Sequence, residues 1–274
     1  MLKERVLTAV ILAVGFLAAL FLLPGAYFSV AIGCVLVVAT WEWSNLSALS
    51  SNMAKSGYIA CVIVVAVACG FLTDWSHDDD TLRFILVASC IWWAVALLWI
   101  QGFPSSAIIW GSVPARLLMG VFVLVPAWLG IMFLRHQNSG AWLVLFVVLL
   151  VASADIGAYF TGRAFGKRKL APSVSPGKSW EGVAGGVVLA AILAIAFNAF
   201  FKGGELVALL VIAVPTALIS VVGDLLESMV KRHQGVKDSS QLLPGHGGVL
   251  DRIDALVAAV PVFSLALMSS HWQL

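Results

Sequence analysis

Charged side chains are scarce in this sequence. Asp, Glu, Lys and Arg make up 11% of its 274 residues, and hydrophobic residues make up 61%. Soluble domains contain about 25% charged residues. The composition therefore excludes a soluble globular domain and predicts an integral membrane protein. The formal net charge of +2 is also too small for the basic surface that nucleic-acid binding requires, so no nucleic-acid partner is expected.

Cysteine is rare as well, and the positions of the cysteines argue against a metal site and against disulfide bonds. The four cysteines lie in apolar stretches, without the spacing of metal ligands or an aqueous oxidising setting. We expect them to pack as small apolar residues. The sequence also contains no repeat, no long linker and no polar domain, which indicates one membrane domain.

Long apolar stretches fill the chain instead. A spanning helix needs about 20 mainly apolar residues, because the hydrocarbon core is about 30 Å thick and a helix rises about 1.5 Å per residue. Candidate stretches lie near 6–23, 27–43, 57–74, 82–101, 117–135, 141–162, 183–201, 205–227 and 255–270. These predict an all-α integral membrane protein of about nine transmembrane helices. A count of eight is the alternative, because the second and ninth stretches are the shortest.

The positive charges are unevenly distributed between the two sides of the membrane. With the N-terminus in the cytoplasm, only Arg83, Arg135 and Lys202 of the 16 Lys and Arg residues fall outside, which leaves 13 inside. This split fits the positive-inside rule. It predicts a multi-pass protein of the cytoplasmic (inner) membrane with a cytoplasmic N-terminus. The first apolar stretch is longer than the roughly 7–15 residues of a signal-peptide core, so we expect it to remain as the first helix.

Polar residues divide the membrane domain into two halves. Residues 1–150 are predicted to form transmembrane scaffold helices. Ten of the 16 Lys and Arg residues lie between Arg163 and Arg252. Residues 151–274 are therefore predicted to form the catalytic helices and cytoplasmic loops, with a polar active-site cavity on the cytoplasmic side. In the scaffold half, we expect Trp41-Glu42-Trp43 to anchor a helix at the membrane interface and His77-Asp78-Asp79-Asp80 to form a solvated turn.

The first group of polar residues surrounds the sixth predicted helix and the loop after it. A carboxylate such as Asp155 in a spanning helix costs about 2.5–3.5 kcal/mol, so it should face a polar cavity or bond to another helix. In the loop, Ser175, Lys178 and Ser179 precede a helix start, an arrangement that suits phosphate binding. Gly177-Lys178-Ser179 resembles the end of a Walker A loop, but the upstream glycine and strand are missing, which excludes a P-loop fold.

The second group begins at the end of the eighth predicted helix. Asp224, Glu227, Ser228 and Lys231 recur at i, i+3, i+4 and i+7 and so share one helix face. Basic, glycine and acidic residues follow: Arg232, Lys237, His246, Gly247, Gly248, Asp251, Arg252 and Asp254. Carboxylates bind magnesium together with substrate phosphates, and Lys and Arg neutralise the remaining phosphate charge. The alternative is a network of salt bridges in a helical hairpin.

The spacing of this group carries a family resemblance. From Ser228 onward the chain reads S-x-x-K-R-x4-K-D, and after a spacer L-P-x-H-G-G-x-x-D-R-x-D up to Asp254. This pattern resembles the signature of the phosphatidate cytidylyltransferase (CDP-diacylglycerol synthase) family. The segment from Asp155 to Gly182 is similar to that family too. Together these segments cover about a quarter of the chain.

The resemblance implies an all-helical, homodimeric membrane enzyme that converts CTP and phosphatidate to CDP-diacylglycerol and pyrophosphate with Mg²⁺, with room for a second cation. We assign Asp224, Asp251 and Lys231 as catalytic residues and the two aspartates as metal ligands, Asp224 from its chemistry and Asp251 from both its chemistry and its place in the motif. The substrate-binding residues are then Ser175, Lys178, Ser179, Ser228, Arg232, Lys237, His246, Gly247, Gly248, Arg252 and Asp254. The alternatives are a CTP-dependent membrane lipid kinase and a secondary transporter, which would more often place its carboxylates at the bilayer midplane between repeats.

Overall fold

The computed structural model describes residues 2–75, 79–272 and 274, and within these ranges the side chains from residue 6 onward. His77 and Asp78 therefore lie outside the described residues. Asp79 begins a helix, because its carboxylate accepts a hydrogen bond from the backbone N–H of Thr81 at 2.9 Å. Such a side-chain cap satisfies one of the free N–H groups at a helix start.

Within the described residues, a long helix lies in each predicted apolar stretch. These helices are α1 (Leu2–Leu22), α2 (Gly25–Leu46), α3 (Asn52–Leu72), α4 (Asp80–Gln101), α6 (Val113–His136), α7 (Gly140–Phe165), α8 (Trp180–Phe201), α9 (Leu206–His233) and α11 (Leu256–Met268). Two single-turn helices, α5 (Ala107–Trp110) and α10 (Leu250–Ile253), lie between them.

Seven of the described helices, α2, α3, α4, α6, α7, α8 and α9, are long and apolar enough to cross a membrane. The chain is thus a mostly helical, multi-pass membrane protein, as predicted. The described apolar part of α1, Val6–Leu22, is shorter. Helix α11 has 13 residues, which corresponds to about 20 Å. A total of nine spans therefore stays a prediction.

A short β-hairpin interrupts the helices, which the all-α prediction did not include. Strand β1 (Lys169–Ala171) pairs with antiparallel β2 (Ser175–Ser179), and Lys169 lies opposite Ser179. The ladder gives hydrogen-bond partners to backbone groups that a loop would otherwise leave to water. Because β2 runs directly into α8, the hairpin has a fixed position relative to that helix.

Helices α7 and α8 pack in close contact through small residues. A Cβ atom on Gly157 would lie 2.6 Å from the backbone oxygen of Gly185, and one on Gly186 would lie 2.6 Å from the backbone oxygen of Ala154. Small residues let helix backbones approach each other within a membrane. This contact fixes the C-terminal end of α7 against the start of α8, where the polar loop residues begin.

Several long-range contacts bring the polar segments to one end of the helix bundle, which we call the polar end. The hydroxyl of Thr8 on α1 donates to the backbone oxygen of Pro244 at 3.4 Å. The guanidinium of Arg116 at the start of α6 donates to the backbone oxygen of Leu46 at 3.0 Å. Arg135, which was predicted to lie on the other side of the membrane, is in the last turn of α6, at the opposite end of that helix from Arg116.

The cysteines only partly follow the prediction. All four are free thiols in the structure. Cys69 packs against the hydrophobic core, but Cys34 and Cys61 are exposed on the outer surface of the chain. Packing inside the chain is therefore the wrong interpretation for these two residues, whose helices are apolar on every side.

Candidate active site

A buried ion-pair network forms the centre of the polar end. The ammonium of Lys231 lies 2.9 Å from Oε2 of Glu227 and 2.5 Å from Oδ1 of Asp251. We call these three residues the central network. Glu227 and Lys231 lie one turn apart on α9, as their spacing predicted, and Asp251 comes from α10. Because a buried ammonium needs compensating charge, the two carboxylates fix Lys231 in place.

The second oxygen of Asp251 holds the loop that precedes α10. Oδ2 accepts hydrogen bonds from the backbone N–H and the hydroxyl of Ser239, both at 2.9 Å, and from the N–H of Gly248 at 2.8 Å. Burial alone would raise the pKa of Asp251, but the hydrogen bond and charge of Lys231 and these backbone donors hold the pKa below its usual range. Both oxygens of this carboxylate are therefore engaged.

Glu42 is a site residue that the sequence interpretation misplaced. Its side chain is fully buried and holds the same loop from the opposite side. It accepts hydrogen bonds from the hydroxyl of Ser240 at 2.6 Å and from the backbone N–H groups of Val249 at 2.9 Å and Leu250 at 2.6 Å. The expected anchoring of Glu42 at the membrane interface is wrong, because its partners lie inside the protein. The sequence did contain a signal for a buried role, because a carboxylate in a membrane helix is costly and needs a polar partner.

The loop held by Glu42 and Asp251 borders a polar cavity of about 700 Å³, which we call the loop cavity. Gly245 and Gly247 have φ values of 74° and 80°, a backbone region that favours glycine. The resulting turn exposes backbone groups to the cavity, and the guanidinium of Arg252 donates to the backbone oxygen of His246 at 2.9 Å. The predicted site residues in the lining are Lys237, His246, Gly247 and Arg252.

A second polar cavity, of about 470 Å³, lies between the β-hairpin and the ends of α7, α8 and α9. We call it the hairpin cavity. Its predicted site residues are Ser175, Lys178, Ser179 and Asp224, and Asp155 also lines it. The ammonium of Lys178 lies 2.5 Å from Oδ2 of Asp224, and the hydroxyl of Ser228 donates to Oδ1 of Asp224 at 3.2 Å. Asp155 thus faces a polar cavity, one of the two environments expected for it.

Two predicted phosphate binders have structural contacts in this region. Ser179 is buried and caps α8, because its hydroxyl accepts a hydrogen bond from the N–H of Gly182 at 3.1 Å. Arg232 is exposed, and its Nε atom donates to the backbone oxygen of Val174 in the hairpin turn at 3.5 Å. The sequence predicted one polar cavity. Among the described residues, four predicted site residues instead line each of two cavities. The predicted site residues that line neither cavity are Ser228, Lys231, Arg232, Gly248, Asp251 and Asp254.

Asp254 lies close to the acidic side chains of α9. Burial, together with the negative charge of Asp224, raises the pKa of Asp254 to about 6, although contacts with Glu227, the N–H of Ala255 and Lys231 oppose the increase. The carboxyl group of Asp254 is therefore protonated more readily than that of an exposed aspartate. It is better suited to hydrogen bonding beside Glu227 than to binding an anionic phosphate.

The residues at the polar end fit a magnesium ion at Asp224 more readily than at Asp251. Across the described residues, no three His, Cys, Asp or Glu side chains are grouped as a metal site. Magnesium commonly takes only one or two carboxylates, with substrate phosphates and water as further ligands. The side chain of Asp224 is 31% exposed and that of Asp251 is 6% exposed. Asp251 would have to release Lys231 or Ser239 before it bound a metal.

Comparisons with known proteins find similarity along nearly the whole chain. The model of the cytidylyltransferase family matches residues 3–270. The phosphatidate cytidylyltransferase of Pseudomonas aeruginosa is 46% identical over 274 residues, covering 99% of each chain. The enzyme of that name from Haemophilus influenzae is 44% identical over 96% of this chain and 98% of its own, and that from Brucella suis is 35% identical over 96% and 92%. The similarity thus extends well beyond the quarter of the chain that carries the motifs.

Proposed function

Because the chain belongs to the cytidylyltransferase family, we propose that it is a phosphatidate cytidylyltransferase, which makes CDP-diacylglycerol and pyrophosphate from CTP and phosphatidate. One observation carries the structural argument. Signature residues that are up to 20 positions apart, such as Lys231 and Asp251, meet in a single buried network. That network lies beside polar cavities lined by lysine and arginine, as a reaction between two anions requires.

The proposed reaction is a direct transfer of the cytidylyl group. An oxygen of the phosphatidate phosphate attacks the α-phosphorus of CTP and forms a new P–O bond. The bond from the α-phosphorus to the oxygen shared with the β-phosphorus breaks, and the electron pair leaves with pyrophosphate. No covalent enzyme intermediate is needed, so catalysis rests on positioning and on stabilisation of negative charge.

The positive side chains at the polar end have distinct positions in this proposal. Lys178 in the hairpin cavity and Lys237 and Arg252 in the loop cavity are placed to bind phosphate oxygens directly. Arg232, with Ser175, Ser179 and Ser228, supports the hairpin side, and His246, Gly247 and Gly248 shape the nucleotide pocket.

Lys231 is nearly buried. Its proposed catalytic role is to supply positive charge and to hold Asp251 and the loop in register.

Magnesium is part of the proposal. Asp224 would hold the ion beside Asp155, whereas Asp251, which the sequence predicted as a second ligand, would hold Lys231 and the loop in place. A bound magnesium ion would neutralise phosphate charge and polarise the α-phosphoryl group. Lys178 now pairs with Asp224 and is free to turn to the phosphates once a cation takes over that carboxylate.

The same family supports proposals for location and assembly. We place the enzyme in the cytoplasmic (inner) membrane with its N-terminus and polar end facing the cytoplasm, from which CTP enters. The 13-to-3 distribution of positive charges supports this orientation. The resemblance to the family also supports a homodimer.

The deciding experiment follows two labels. Purified protein is incubated with phosphatidate, magnesium and CTP labelled either at the α- or at the γ-phosphate, and the lipid phase is extracted. We expect α-label in the lipid and γ-label in released pyrophosphate. Transfer of γ-label to the lipid would establish the lipid kinase alternative instead, and no labelled lipid from either nucleotide would refute both enzyme functions.

A further inference from the structure

The connection between α7 and α8 carries an exposed surface that belongs to neither polar cavity. Lys167, Arg168 and Lys169 have exposed side chains, and within the described part of the chain they line neither cavity. Two aromatic rings flank them, since Phe165 is 68% and Trp180 is 54% exposed. We call these five residues the hairpin patch. Large exposed apolar groups indicate an interaction surface rather than a face that meets only water.

Hydrogen bonds fix the backbone of the hairpin patch. The carboxylate of Glu181 accepts hydrogen bonds from the backbone N–H groups of Lys167 at 3.0 Å and Arg168 at 3.2 Å. The N–H of Trp180 donates to the backbone oxygen of Arg168 at 2.9 Å, and Lys169 is the first residue of β1. Because these contacts use backbone groups, the cationic side chains extend from a surface whose shape is set in advance. Such a surface loses less entropy when it binds a ligand.

The hairpin patch lies where two long apolar helices end. Phe165 is the last residue of α7, and Trp180 is the first residue of α8. Both helices are long and apolar enough to cross a membrane. Aromatic side chains concentrate at the level of the lipid headgroups. Since the two rings flank the three cations, the cations are expected at the same level.

The charge around the hairpin patch favours an anionic occupant. From Arg163 to Gly182 the sequence contains five Lys and Arg residues and one acidic residue, Glu181. Lys178 forms an ion pair with Asp224 in the hairpin cavity, which still leaves more cations than carboxylates at the surface. Basic residues beside a membrane-spanning helix attract anionic lipid headgroups.

We propose that the hairpin patch binds anionic phosphodiester headgroups of the surrounding bilayer, separately from the lipid substrate. The rings of Phe165 and Trp180 would enter the headgroup region, and the three cations would contact lipid phosphate oxygens. A surface that only attracted the nucleotide would need the cations but not the exposed rings, so the bilayer is the favoured occupant. The inference goes beyond the proposed function and does not depend on it.

The test measures lipid contact at Trp180. The intact protein is placed in nanodiscs of phosphatidylcholine that contain a brominated lipid, which quenches the fluorescence of nearby tryptophans. The signal of Trp180 is the difference between each protein and the same protein with Trp180→Phe. Brominated phosphatidylglycerol is compared with brominated phosphatidylcholine at equal mole fraction. The ratio of their quenching measures the lipid preference at the hairpin patch.

Three variants separate charge from position. The triple variant Lys167→Gln/Arg168→Gln/Lys169→Gln removes the three charges but keeps the backbone N–H groups that Glu181 holds. Lys167→Arg/Lys169→Arg keeps the charges and is the matched control. Lys202→Gln removes an exposed cation at the opposite end of α8 and controls for position.

We expect the wild-type protein to prefer phosphatidylglycerol at least about fivefold, because one cation near an anionic surface contributes about 1 kcal/mol. The triple variant should show nearly equal quenching by the two lipids, and both controls should keep the wild-type ratio. Salt at about 1 M should reduce the wild-type ratio, since it screens charges beyond about 3 Å. An unchanged ratio in the triple variant, equal quenching in the wild type, or no quenching of Trp180 by either lipid would overturn the proposal.

A kinetic measurement separates this surface from the candidate active site. In detergent micelles without phosphatidylglycerol, the triple variant should keep the wild-type kcat and KM for CTP, because its three side chains lie outside the cavity linings. A raised KM for CTP with an unchanged lipid ratio would show that the hairpin patch serves the nucleotide instead, which would refute the proposal. The lipid ratio can be measured whether or not the protein transfers a nucleotide, so failure of the proposed function would leave this test intact.

Discussion

The two sides of the candidate active site use their carboxylates differently. On the hairpin side, Asp224 is 31% exposed, and its ion-pair partner is the ammonium of Lys178, whose side chain is 26% exposed. On the loop side, Asp251 is 6% exposed and accepts four hydrogen bonds, and the fully buried Glu42 is engaged in the same way. A carboxylate whose oxygens already accept hydrogen bonds from the protein is poorly suited to bind a metal ion or a substrate. The comparison teaches that motif membership alone does not separate a ligand-binding aspartate from a structural one.

The largest expected effect comes from Asp224→Asn on the hairpin side. The substitution keeps the shape of the side chain but removes its charge. We expect kcat to fall about 100- to 1,000-fold, as when a group that stabilises the transition state is lost. Thermal stability should change little, because Asp224 is partly exposed, and higher magnesium should restore part of the activity. Activity and thermal unfolding are measured together across a magnesium series.

Asp251→Asn provides the comparison for this experiment. It leaves Lys231 and the loop donors with a weaker acceptor in a buried place. We expect a loss of about 1.5–3 kcal/mol in the free energy of unfolding that magnesium does not reverse. If the two variants instead show the same magnesium-dependent loss of activity and unchanged stability, both aspartates are metal ligands and the contrast between the two sides is wrong.

The next largest effect is expected from removing one cationic side chain on each side of the candidate active site. Lys178→Ala and Arg252→Ala should each lower kcat/KM about 10- to 150-fold, which corresponds to one charge-assisted contact of about 1.5–3 kcal/mol. Steady-state kinetics with each substrate varied in turn measure the loss for each variant. Lys169→Ala, an exposed hairpin lysine outside the cavity lining, is the control and should be nearly normal. Equal behaviour of all three variants would contradict the assigned contacts.

The smallest expected effect comes from replacing a glutamate by glutamine on each side of the candidate active site. Glu42→Gln replaces an acceptor by an amide group that faces N–H and O–H donors, and it should cost about 1–3 kcal/mol of stability. Glu181→Gln also disturbs a carboxylate that accepts backbone N–H groups, those of Lys167 and Arg168, but near the surface. Hydrogen exchange should accelerate in residues 238–250 only for Glu42→Gln. If Glu42→Gln instead accelerated exchange in the hairpin but not in residues 238–250, the assignment of Glu42 to the loop side would be contradicted.

Local patterns in the sequence predicted the helices well, and they predicted that Glu227 and Lys231 share one face of a helix. Each apolar stretch specifies its own helix, and the spacing of Glu227 and Lys231 places them one turn apart whatever surrounds them. The separation into two cavities could not be predicted, since it depends on how the hairpin and the loop pack against different helices. Glu42 was misinterpreted because its partners lie about 200 residues away and adjacent tryptophans suggested an interface.

The contact between Glu42 and the loop also has a consequence for biosynthesis. Ser239 follows Glu42 by 197 residues, a stretch that takes about 10–40 s to synthesise at about 5–20 residues per second. During that interval a membrane helix carries a carboxylate whose final donors do not yet exist. Helix α2 should therefore keep the Glu42 end near water until α10 arrives. Assembly of the active site then supplies the donors that this carboxylate lacks in the nascent chain.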